Sequence, residues 1–285
     1  MLKDCYHFCT TALKDTVLCQ DRTDYRRLWN CIVLCAVKFN IRIFCICLMS
    51  NHFHILLQAT PGQIESFCLE IKILFGRYLK KKYGHSTASK LTYRLFDIQS
   101  RRAFCQEVAY ILRNAYKARI SSPLSYPWCS TPIYFSKQPR QGRKTKEMTV
   151  REIATTLNTR EKLPGDLLVS PEGIILPESF IDSAIVERMF ENSPVLFFDL
   201  LKKWNLEDIV DGTHGETVSD AYSDNEVIVG IGNICKEDFG GMSPIRMDQK
   251  TVGRLARKVY SRYGSNRAQL LRLLPVDDFL LDRVL

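Results

Sequence analysis

The stretch LMSNHFHILLQ (residues 48–58) places two histidines one residue apart inside an apolar run. The preceding stretch, IRIFCICL (41–48), is also rich in branched and aromatic residues, which favour β-strands. Between the two stretches, Ser50 and Asn51 are residues that turns prefer. The sequence therefore predicts a β-hairpin whose strands cover residues 41–48 and 52–58.

Further strand and helix patterns flank this hairpin on both sides. Aromatic and branched residues predict two more strands, over residues 5–12 and 94–100. Apolar residues at helical spacing predict three helices: one from an N-cap at Thr23 to Phe39, one from Pro61 to a stop at Gly84, and one over 103–119. The order strand–helix–strand–strand–helix–strand predicts an α+β fold. Helices would pack on an antiparallel sheet of ferredoxin-like or RNA-recognition-motif-like layout.

Charge divides the chain into parts of opposite sign. The net charge is +15 over residues 1–147, −10 over 148–247 and +4 over 248–285. The polar, basic segment SKQPRQGRKTKE (136–147) is typical of a linker. We therefore predict a first domain over 1–135, a basic linker over 136–147, a mixed acidic accessory region over 148–247 and a basic tail over 248–285. The basic parts favour a polyanion such as nucleic acid, and solvated lysine-rich helices are the alternative.

The tail carries a helical pattern interrupted by short turns. MDQKTVGRLARKVYSRYG (247–264), SNRAQLLRLL (265–274) and PVDDFLLDRVL (275–285) predict helices in a helix-turn-helix-like arrangement. Such a tail would bind duplex DNA through its arginines, for which the candidates are Arg254, Arg257, Arg267 and Arg272. A generic helical bundle is the alternative. The acidic region before the tail suggests no chemistry.

The eleven cysteines argue against a secreted disulfide scaffold, because their number is odd and the chain is long. The sequence contains no CxxC pair, so a zinc ribbon is not predicted. Several cysteines occupy apolar positions and are expected to be small buried residues in a reducing compartment: Cys31, Cys35, Cys45, Cys47 and Cys68. The sequence contains no run of eighteen apolar residues, so a membrane span is not predicted. We expect a cytoplasmic, nucleoid-associated protein with no membrane partner.

The histidine pair predicts a cation site. Side chains alternate along a strand, so His52 and His54 share one face at a backbone separation of about 7 Å. Two surface histidines without a ligand are the alternative. The third predicted helix offers a partner, because Tyr110 and Asn114 are four residues apart and Arg113 and Lys117 extend their face. An oxygen donor as third ligand would favour Mg²⁺ or Mn²⁺, and a third histidine or a cysteine would favour zinc.

Four motifs together resemble one family. They are, in chain order, YHFCTTAL (6–13), CLMSNHFHILL (47–57), YILRNAYKARI (110–120) and SYPWCS (125–130). This set is similar to the single-tyrosine HUH transposases and, within them, to the REP-associated tyrosine transposases, in an insertion-sequence-type form with an extra C-terminal region. The chain departs from the family pattern where Ser50 and Ala115 replace prolines and Arg119 replaces a glycine.

The resemblance implies roles for individual residues. His52 and His54 would be the metal ligands of the HUH motif, with Asn114 as third ligand and Mg²⁺ or Mn²⁺ as the ion. Tyr110 would be the nucleophile that forms a 5′-phosphotyrosine with hairpin-bearing single-stranded DNA. Tyr116 is rejected as nucleophile because it lies six residues from Tyr110, on the opposite side of the predicted helix. The protein would act as a monomer or a homodimer.

Basic residues near the motifs are candidates for DNA contacts. Arg113 and Lys117 would help to activate the phenol of Tyr110, whose pKa is ordinarily near 10. The end of the second helix is also basic and would line a groove for the strand, through Arg77, Lys80, Lys81 and Lys82. Tyr83 and Phe96 would stack on bases, unless they belong to the core.

Three other functions compete with this interpretation. A host-domesticated DNA-binding protein would keep the fold and lose the reaction. A different HxH metal hydrolase would need an aspartate and further histidines, and His7, His85 and His214 lie in no supporting pattern. An RNA-binding module of the same topology would not need the histidine pair.

Overall fold

The structure is a computed structural model of the 285-residue chain. It describes residues 2–13, 16–118, 120–136, 141–202, 224–263, 265, 267–277, 280, 281 and 284. The chain forms two compact units. The first contains residues 1–13, 18–114 and 123–202, and the second contains 14–17, 115–122 and 203–285. In the described residues, no helix combines the length and apolar character needed to cross a membrane.

A four-stranded antiparallel sheet is the centre of the first unit. Its strands are β1 (Cys5–Thr10), β2 (Arg42–Leu48), β3 (Phe53–Gln58) and β4 (Tyr93–Asp97), in the spatial order β2-β3-β1-β4. The predicted hairpin is β2–β3, and it pairs Leu48 with Phe53 at its turn. The predicted α+β class and antiparallel sheet are thus confirmed. The fourth predicted strand, over 94–100, is shorter than expected and ends at Asp97.

Two helices cover the apolar face of this sheet. Helix α1 (Arg22–Lys38) begins at an Asp21 N-cap, whose carboxylate accepts from the amides of Thr23 and Asp24, so the predicted N-cap at Thr23 was two residues late. Helix α2 (Pro61–Tyr83) begins with a capping box and ends at Gly84 in the left-handed conformation, as predicted. Phe8 of β1 packs on Phe53 and on Phe67 of α2 within this layer.

The third helix packs on the opposite face of the sheet and is shorter than predicted. Helix α3 (Arg101–Leu112) begins after an N-cap at Ser100, and a separate turn, α4 (Asn114–Lys117), follows it. The break has a local cause, because the Asn114 amide nitrogen donates to the carbonyl oxygens of Tyr110 and Ile111 in the last turn of α3. A side chain that satisfies these carbonyls competes with continuation of the helix.

The segment that follows borders the edge strand β2. Leu48 donates to the Trp128 carbonyl, and the Tyr126 hydroxyl donates to the Leu48 carbonyl at 2.8 Å. The motif SYPWCS therefore ties the end of the histidine hairpin in place. Through these bonds the motif lies beside the hairpin, although the two are far apart in the sequence.

The segments predicted as a linker (136–147) and an acidic region (148–247) contain regular secondary structure, part of which belongs to the first unit. Residues 143–144 form a strand, β5 (Arg143–Lys144), that pairs with β6 (Leu168–Val169). Three helices follow in the first unit: α5 (Val150–Leu157), α6 (Ser183–Met189) and α7 (Pro194–Lys202).

Buried hydrogen bonds hold this segment to α1. The Trp29 indole donates to the Ile175 carbonyl at 2.8 Å, and the Asn30 amide donates to the Gly173 carbonyl at 2.7 Å. Residues 123–202 are therefore part of the first compact unit despite their change of charge, because these bonds do not depend on net charge. The predicted boundary at 147/148 remains a prediction about function.

Three helices lie in the described residues from 224 onward of the second unit: α8 (Asp224–Asp238), α9 (Gln249–Tyr263) and α10 (Arg267–Leu273). The buried side of α9 is formed by Val252, Leu255, Ala256 and Val259, as its helical spacing predicts. Ion pairs join Lys258 to Asp238 and Arg262 to Glu237. The acidic residues 203–223 and several positions near the C-terminus lie outside the described residues.

Candidate active site

The register of β1 against β3 assembles a cluster on the face of the sheet that α3 covers. Cys9 lies directly opposite His54, and His7 lies opposite Leu56. Side chains of directly opposed residues share a face, and residues two apart along a strand also share it. His7, Cys9 and His54 consequently meet on one face, where all three are buried.

A chain of short contacts runs from α3 through two imidazoles. The Glu107 carboxylate lies 3.0 Å from Nδ1 of His7, and Nε2 of His7 lies 2.9 Å from Nδ1 of His54. We call these three residues the histidine chain. The Cys9 sulfur lies 4.0 Å from Nε2 of His54, and the Cys9 thiol donates to the Thr10 carbonyl. The histidine chain therefore reaches His54 from the side away from its Nε2.

His52 immediately precedes β3, so the predicted strand began one residue too early; it is partly buried, with its ring centroid 4.9 Å from that of His54. Its Nδ1 lies 2.7 Å from Oδ1 of Asn51, and the amide nitrogen of Asn51 donates to the Leu13 carbonyl. That donation orients the Asn51 oxygen toward His52. Burial lowers the pKa of His52 to about 4, so its imidazole is neutral at neutral pH, the form that binds metals.

Tyr110 projects from α3 toward the imidazoles. Its ring meets those of His54 and His7 edge-on, with centroid distances of 5.8 and 5.7 Å. Tyr110 and Glu107 are three residues apart and so lie on the same side of α3. The structure thus brings the predicted nucleophile to the predicted metal ligand His54. Tyr116, which belongs to the second unit, is exposed.

Asn114 is placed differently from what the helix pattern predicts. Its amide nitrogen lies 3.1 Å from the Tyr110 carbonyl and 3.2 Å from the Ile111 carbonyl. Within the described part of the chain, none of the hydrogen bonds found for Asn114 reaches His52 or His54. Its role as third metal ligand stays a prediction.

Two sets of donors for a metal ion share His54. The ligand atoms of His7, Cys9 and His54 lie within 4.8 Å of one another, close enough to hold one ion. The alternative set is His52 with His54. The 2.9 Å separation of the His7 and His54 nitrogens is a hydrogen-bond distance, and the Cys9 thiol is a donor, which favours the second set. Neutral imidazoles fit a divalent transition-type ion, and an added oxygen donor would suit Mn²⁺ or Mg²⁺.

Lys82 is exposed and also forms two ion pairs within the first unit. Its ammonium lies 2.6 Å from a carboxylate oxygen of Asp21 and 2.6 Å from one of Asp24. Asp24 is fully buried and also accepts from the hydroxyls of Tyr78 and Tyr83. We call Asp24, Tyr78, Lys82 and Tyr83 the Asp24 cluster. Lys82 and Tyr83 thus join α2 to α1, and their DNA contacts remain predictions.

The pKa values in the Asp24 cluster reflect these bonds. Burial alone would raise the pKa of Asp24, but hydrogen bonds from Lys82, Tyr78 and the Gln20 amide lower it overall. Burial and the bond to Asp24 raise the pKa of Tyr78 to about 12. The carboxylate of Asp24 is therefore charged and paired at neutral pH.

The remaining predicted contact residues fall into three groups. Arg113 is buried in the first unit, where its guanidinium lies 3.5 Å from the Leu200 carbonyl, and Phe96 packs on His7 with a centroid distance of 5.5 Å. Four basic residues of α2 are exposed: Arg77, Lys80, Lys81 and Lys82. The second unit contains partly buried Lys117 and the exposed residues Arg254, Arg257 and Arg272, while the side chain of Arg267 lies outside the described residues. Their DNA contacts remain predictions.

Sequence reasoning missed His7 and Glu107. His7 lies in the opening motif, but no local spacing connects it to His54, 47 residues away. One signal was available, because His7 and Cys9 alternate along β1 as His52 and His54 alternate along β3. Glu107 precedes Tyr110 by one helical turn, which also places it toward the sheet.

The fold and the site define an α+β domain in which imidazoles and a tyrosine meet between sheet and helix. Residues 3–98 match the family described as IS200-like transposases. This range holds the whole sheet and the histidines, whereas Tyr110 and Asn114 lie beyond it. Residues 3–98 are therefore similar to IS200-like transposases, in agreement with the resemblance that the motifs indicate.

A solved structure described as a REP-associated tyrosine transposase bound to a REP hairpin is also similar to the chain. The alignment has a TM-score of 0.38 and 15% identity, and it covers 49% of this chain and 84% of that one. No curated protein matches the chain.

Proposed function

We propose that the protein is a metal-dependent transposase that cleaves and rejoins hairpin-bearing single-stranded DNA through Tyr110. The observation that carries the proposal is the position of the Tyr110 ring, 5.8 Å from the ring of His54 in a family domain that contains the histidine pair. A solved relative described as bound to a REP hairpin suggests the DNA to test.

The reaction follows from the residues at the site. The Tyr110 oxygen attacks the scissile phosphorus, the bond from phosphorus to the 3′ oxygen breaks, and the phenol proton ends on the 3′ hydroxyl. The product is a 5′-phosphotyrosine. Because one phosphoester bond replaces another, the reverse attack by a 3′ hydroxyl can rejoin the strand without an added energy source.

His52 and His54 would hold the metal ion, which would supply positive charge to the phosphate oxygens when bound. The chain's own contribution is orientation. Helix α3 fixes Tyr110 at the sheet, and β3 fixes His54 in a buried position. An unpaired strand would give the phosphate access without duplex opening.

The test is formation of a covalent adduct. Purified full-length protein is incubated with Mn²⁺ or Mg²⁺ and a labelled single-stranded hairpin DNA, and denaturing gels then show any protein–DNA linkage. We expect an adduct that Tyr110→Phe abolishes and Tyr116→Phe preserves. An adduct that survives Tyr110→Phe would contradict the proposal, and binding without any adduct would favour a domesticated DNA-binding protein.

The same assay separates the two donor sets. Cys9→Ser removes the thiolate donor and keeps a small side chain. If His52 and His54 hold the ion, Cys9→Ser retains Mn²⁺-dependent adduct formation and His52→Ala loses it. The opposite pattern, together with a preference for Zn²⁺, would assign the ion to His7, Cys9 and His54.

A further inference from the structure

Two cysteines, Cys47 and Cys129, face each other at the β2 edge of the four-stranded sheet. They are the opposed residues of an isolated antiparallel bridge between β2 and the segment 125–130. The hydrogen bonds of this bridge are made by the residues on either side, one of them from Leu48 to the Trp128 carbonyl at 2.9 Å. Cys47 and Cys129 are therefore a non-hydrogen-bonded pair, the kind of pair in which opposed side chains lie closest together.

The backbone at this pair has the dimensions of a disulfide. The Cα atoms of a non-hydrogen-bonded pair are about 4.5 Å apart, and disulfides join Cα atoms that are about 4.4 to 6.8 Å apart. Both side chains are buried, and the Cys47 thiol donates a hydrogen bond to the Cys129 sulfur. The two sulfur atoms are thus already in contact in the reduced protein, with both cysteines free.

The surroundings of Cys129 favour its reaction with an oxidant. Burial alone would raise the pKa of the Cys129 thiol, but hydrogen bonds from the Cys47 thiol and from Thr131 lower it overall. The hydroxyl oxygen of Thr131 lies 3.1 Å from the Cys129 sulfur. Because the thiolate is the nucleophilic form of cysteine, Cys129 is suited to react first and Cys47 to complete the bond.

We propose that Cys47 and Cys129 are an oxidative modification site, at which hydrogen peroxide converts the two thiols into a cross-strand disulfide. The Cys129 sulfur attacks one peroxide oxygen, the O–O bond breaks, and the thiol proton leaves with the other oxygen as water. The Cys47 sulfur then attacks the resulting sulfenic sulfur, the S–O bond breaks, and a second water leaves with the Cys47 proton. The thiols lose two electrons, and the peroxide gains them.

The disulfide would fasten the sheet beside the proposed active site. Cys47 lies directly opposite His54 across β2 and β3, so the new bond would be one strand away from that histidine. The loop that the disulfide closes contains His52, His54 and Tyr110. A cross-link of this kind restricts the unfolded chain, so we expect oxidation to stabilise the first unit. The inference goes beyond the proposed DNA reaction and does not depend on it.

Helix α1 contains a matched pair for comparison. Cys31 and Cys35 are also buried, and a hydrogen bond also joins their side chains. They are four residues apart on one helix, where Cβ atoms are about 5 to 6 Å apart. A disulfide needs Cβ atoms about 3.5 to 4.5 Å apart. We therefore expect the α1 pair to stay reduced where the strand pair is oxidised.

Peptide mapping tests the proposal on the reduced full-length protein. The protein is treated with hydrogen peroxide and then unfolded in N-ethylmaleimide, which blocks the remaining thiols. It is digested without reductant, and fragmentation in the mass spectrometer assigns each linked cysteine. We expect a link between Cys47 and Cys129 that a reductant removes, and none between Cys31 and Cys35.

Thermal unfolding provides a second readout. The oxidised wild type should melt about 5 °C or more above the reduced protein. Cys129→Ser should lose both the link and this increase, whereas Cys31→Ser should keep both. If Cys129→Ser does not fold, Cys47→Ala makes the same comparison, and the peptide map of the wild type decides by itself.

Three results would overturn the proposal. One is a Cys31–Cys35 link in equal yield, because strand geometry would then not select the pair. Another is oxidation of Met49, whose sulfur lies 3.9 Å from that of Cys47, while Cys47 and Cys129 both remain reduced. The third is a sulfinic acid at Cys129 beside a reduced Cys47, which would show that Cys47 does not reach the sulfenic sulfur.

Discussion

Two polar clusters of the first unit, the Asp24 cluster and the histidine chain, differ in the contacts that their carboxylates make. The Asp24 carboxylate receives four donors: Gln20 amide, Tyr78, Lys82 and Tyr83. That number fills the acceptor sites of a carboxylate. The histidine chain instead begins at a carboxylate and passes through His7 to a nitrogen of His54 beside Tyr110.

The difference teaches what each cluster is suited to do. A closed cluster of donors around one buried charge fixes two helices and leaves no polar atom of that charge for a ligand. The histidine chain instead brings a carboxylate and two imidazoles into contact beside the Tyr110 ring. We therefore expect changes in the Asp24 cluster to alter stability, and changes in the histidine site to alter chemistry.

The largest expected effect is on chemistry at the histidine site. His52→Ala should lower the yield of the covalent DNA adduct at least about 100-fold, because a charge-stabilising group is lost. DNA affinity, measured by fluorescence anisotropy, should stay within about threefold. The free energy of unfolding should change by less than about 1 kcal/mol, since His52 is only partly buried. A parallel collapse of DNA binding would mean that the histidine contacts DNA or supports the fold.

The next effect is on stability and compares two aspartates that share Lys82. Asp24→Asn removes the buried charge that pairs with Lys82, and we expect the free energy of unfolding to fall by about 3 kcal/mol. Asp21→Asn is the matched control, because Asp21 is half-exposed and asparagine still caps a helix, so its cost should stay below about 1 kcal/mol. Urea denaturation measures both. Equal losses would show that burial of Asp24 is not what matters.

The smallest effect is the pH dependence of the difference in unfolding free energy between the wild type and Asp24→Asn. The pKa of Asp24 is lowered in the folded state, so its contribution is fully present above its unfolded pKa of about 3.9. The contribution decreases as the pH falls below that value and is lost once the pH passes the folded pKa. The stability gap between wild type and Asp24→Asn should therefore be constant near neutral pH and narrow in acid. A gap that widens on acidification would reverse the sign of the argument.

Local patterns predicted much of the first unit. The capping box at Thr60, the stop at Gly84 and the hairpin of β2 and β3 depend on neighbours within a few residues, so the sequence contains their cause. The buried cysteines likewise follow from apolar positions, as at Cys45 and Cys47. Helix α3 was predicted too long because the side chain of Asn114 competes for the carbonyls of its last turn, an effect that apolar periodicity does not register.

The sequence by itself determined the sheet, the histidine pair and the helix that bears Tyr110, since each is specified by short-range spacing. Only the tertiary structure decided which residues complete the site. His7 meets His54 through strand register, and a slip of one residue would turn its side chain to the other face. Glu107 reaches His7 through the packing of α3, and Lys82 reaches Asp24 across two helices. Contacts between residues far apart in the chain depend on how whole elements pack, and no local pattern encodes that.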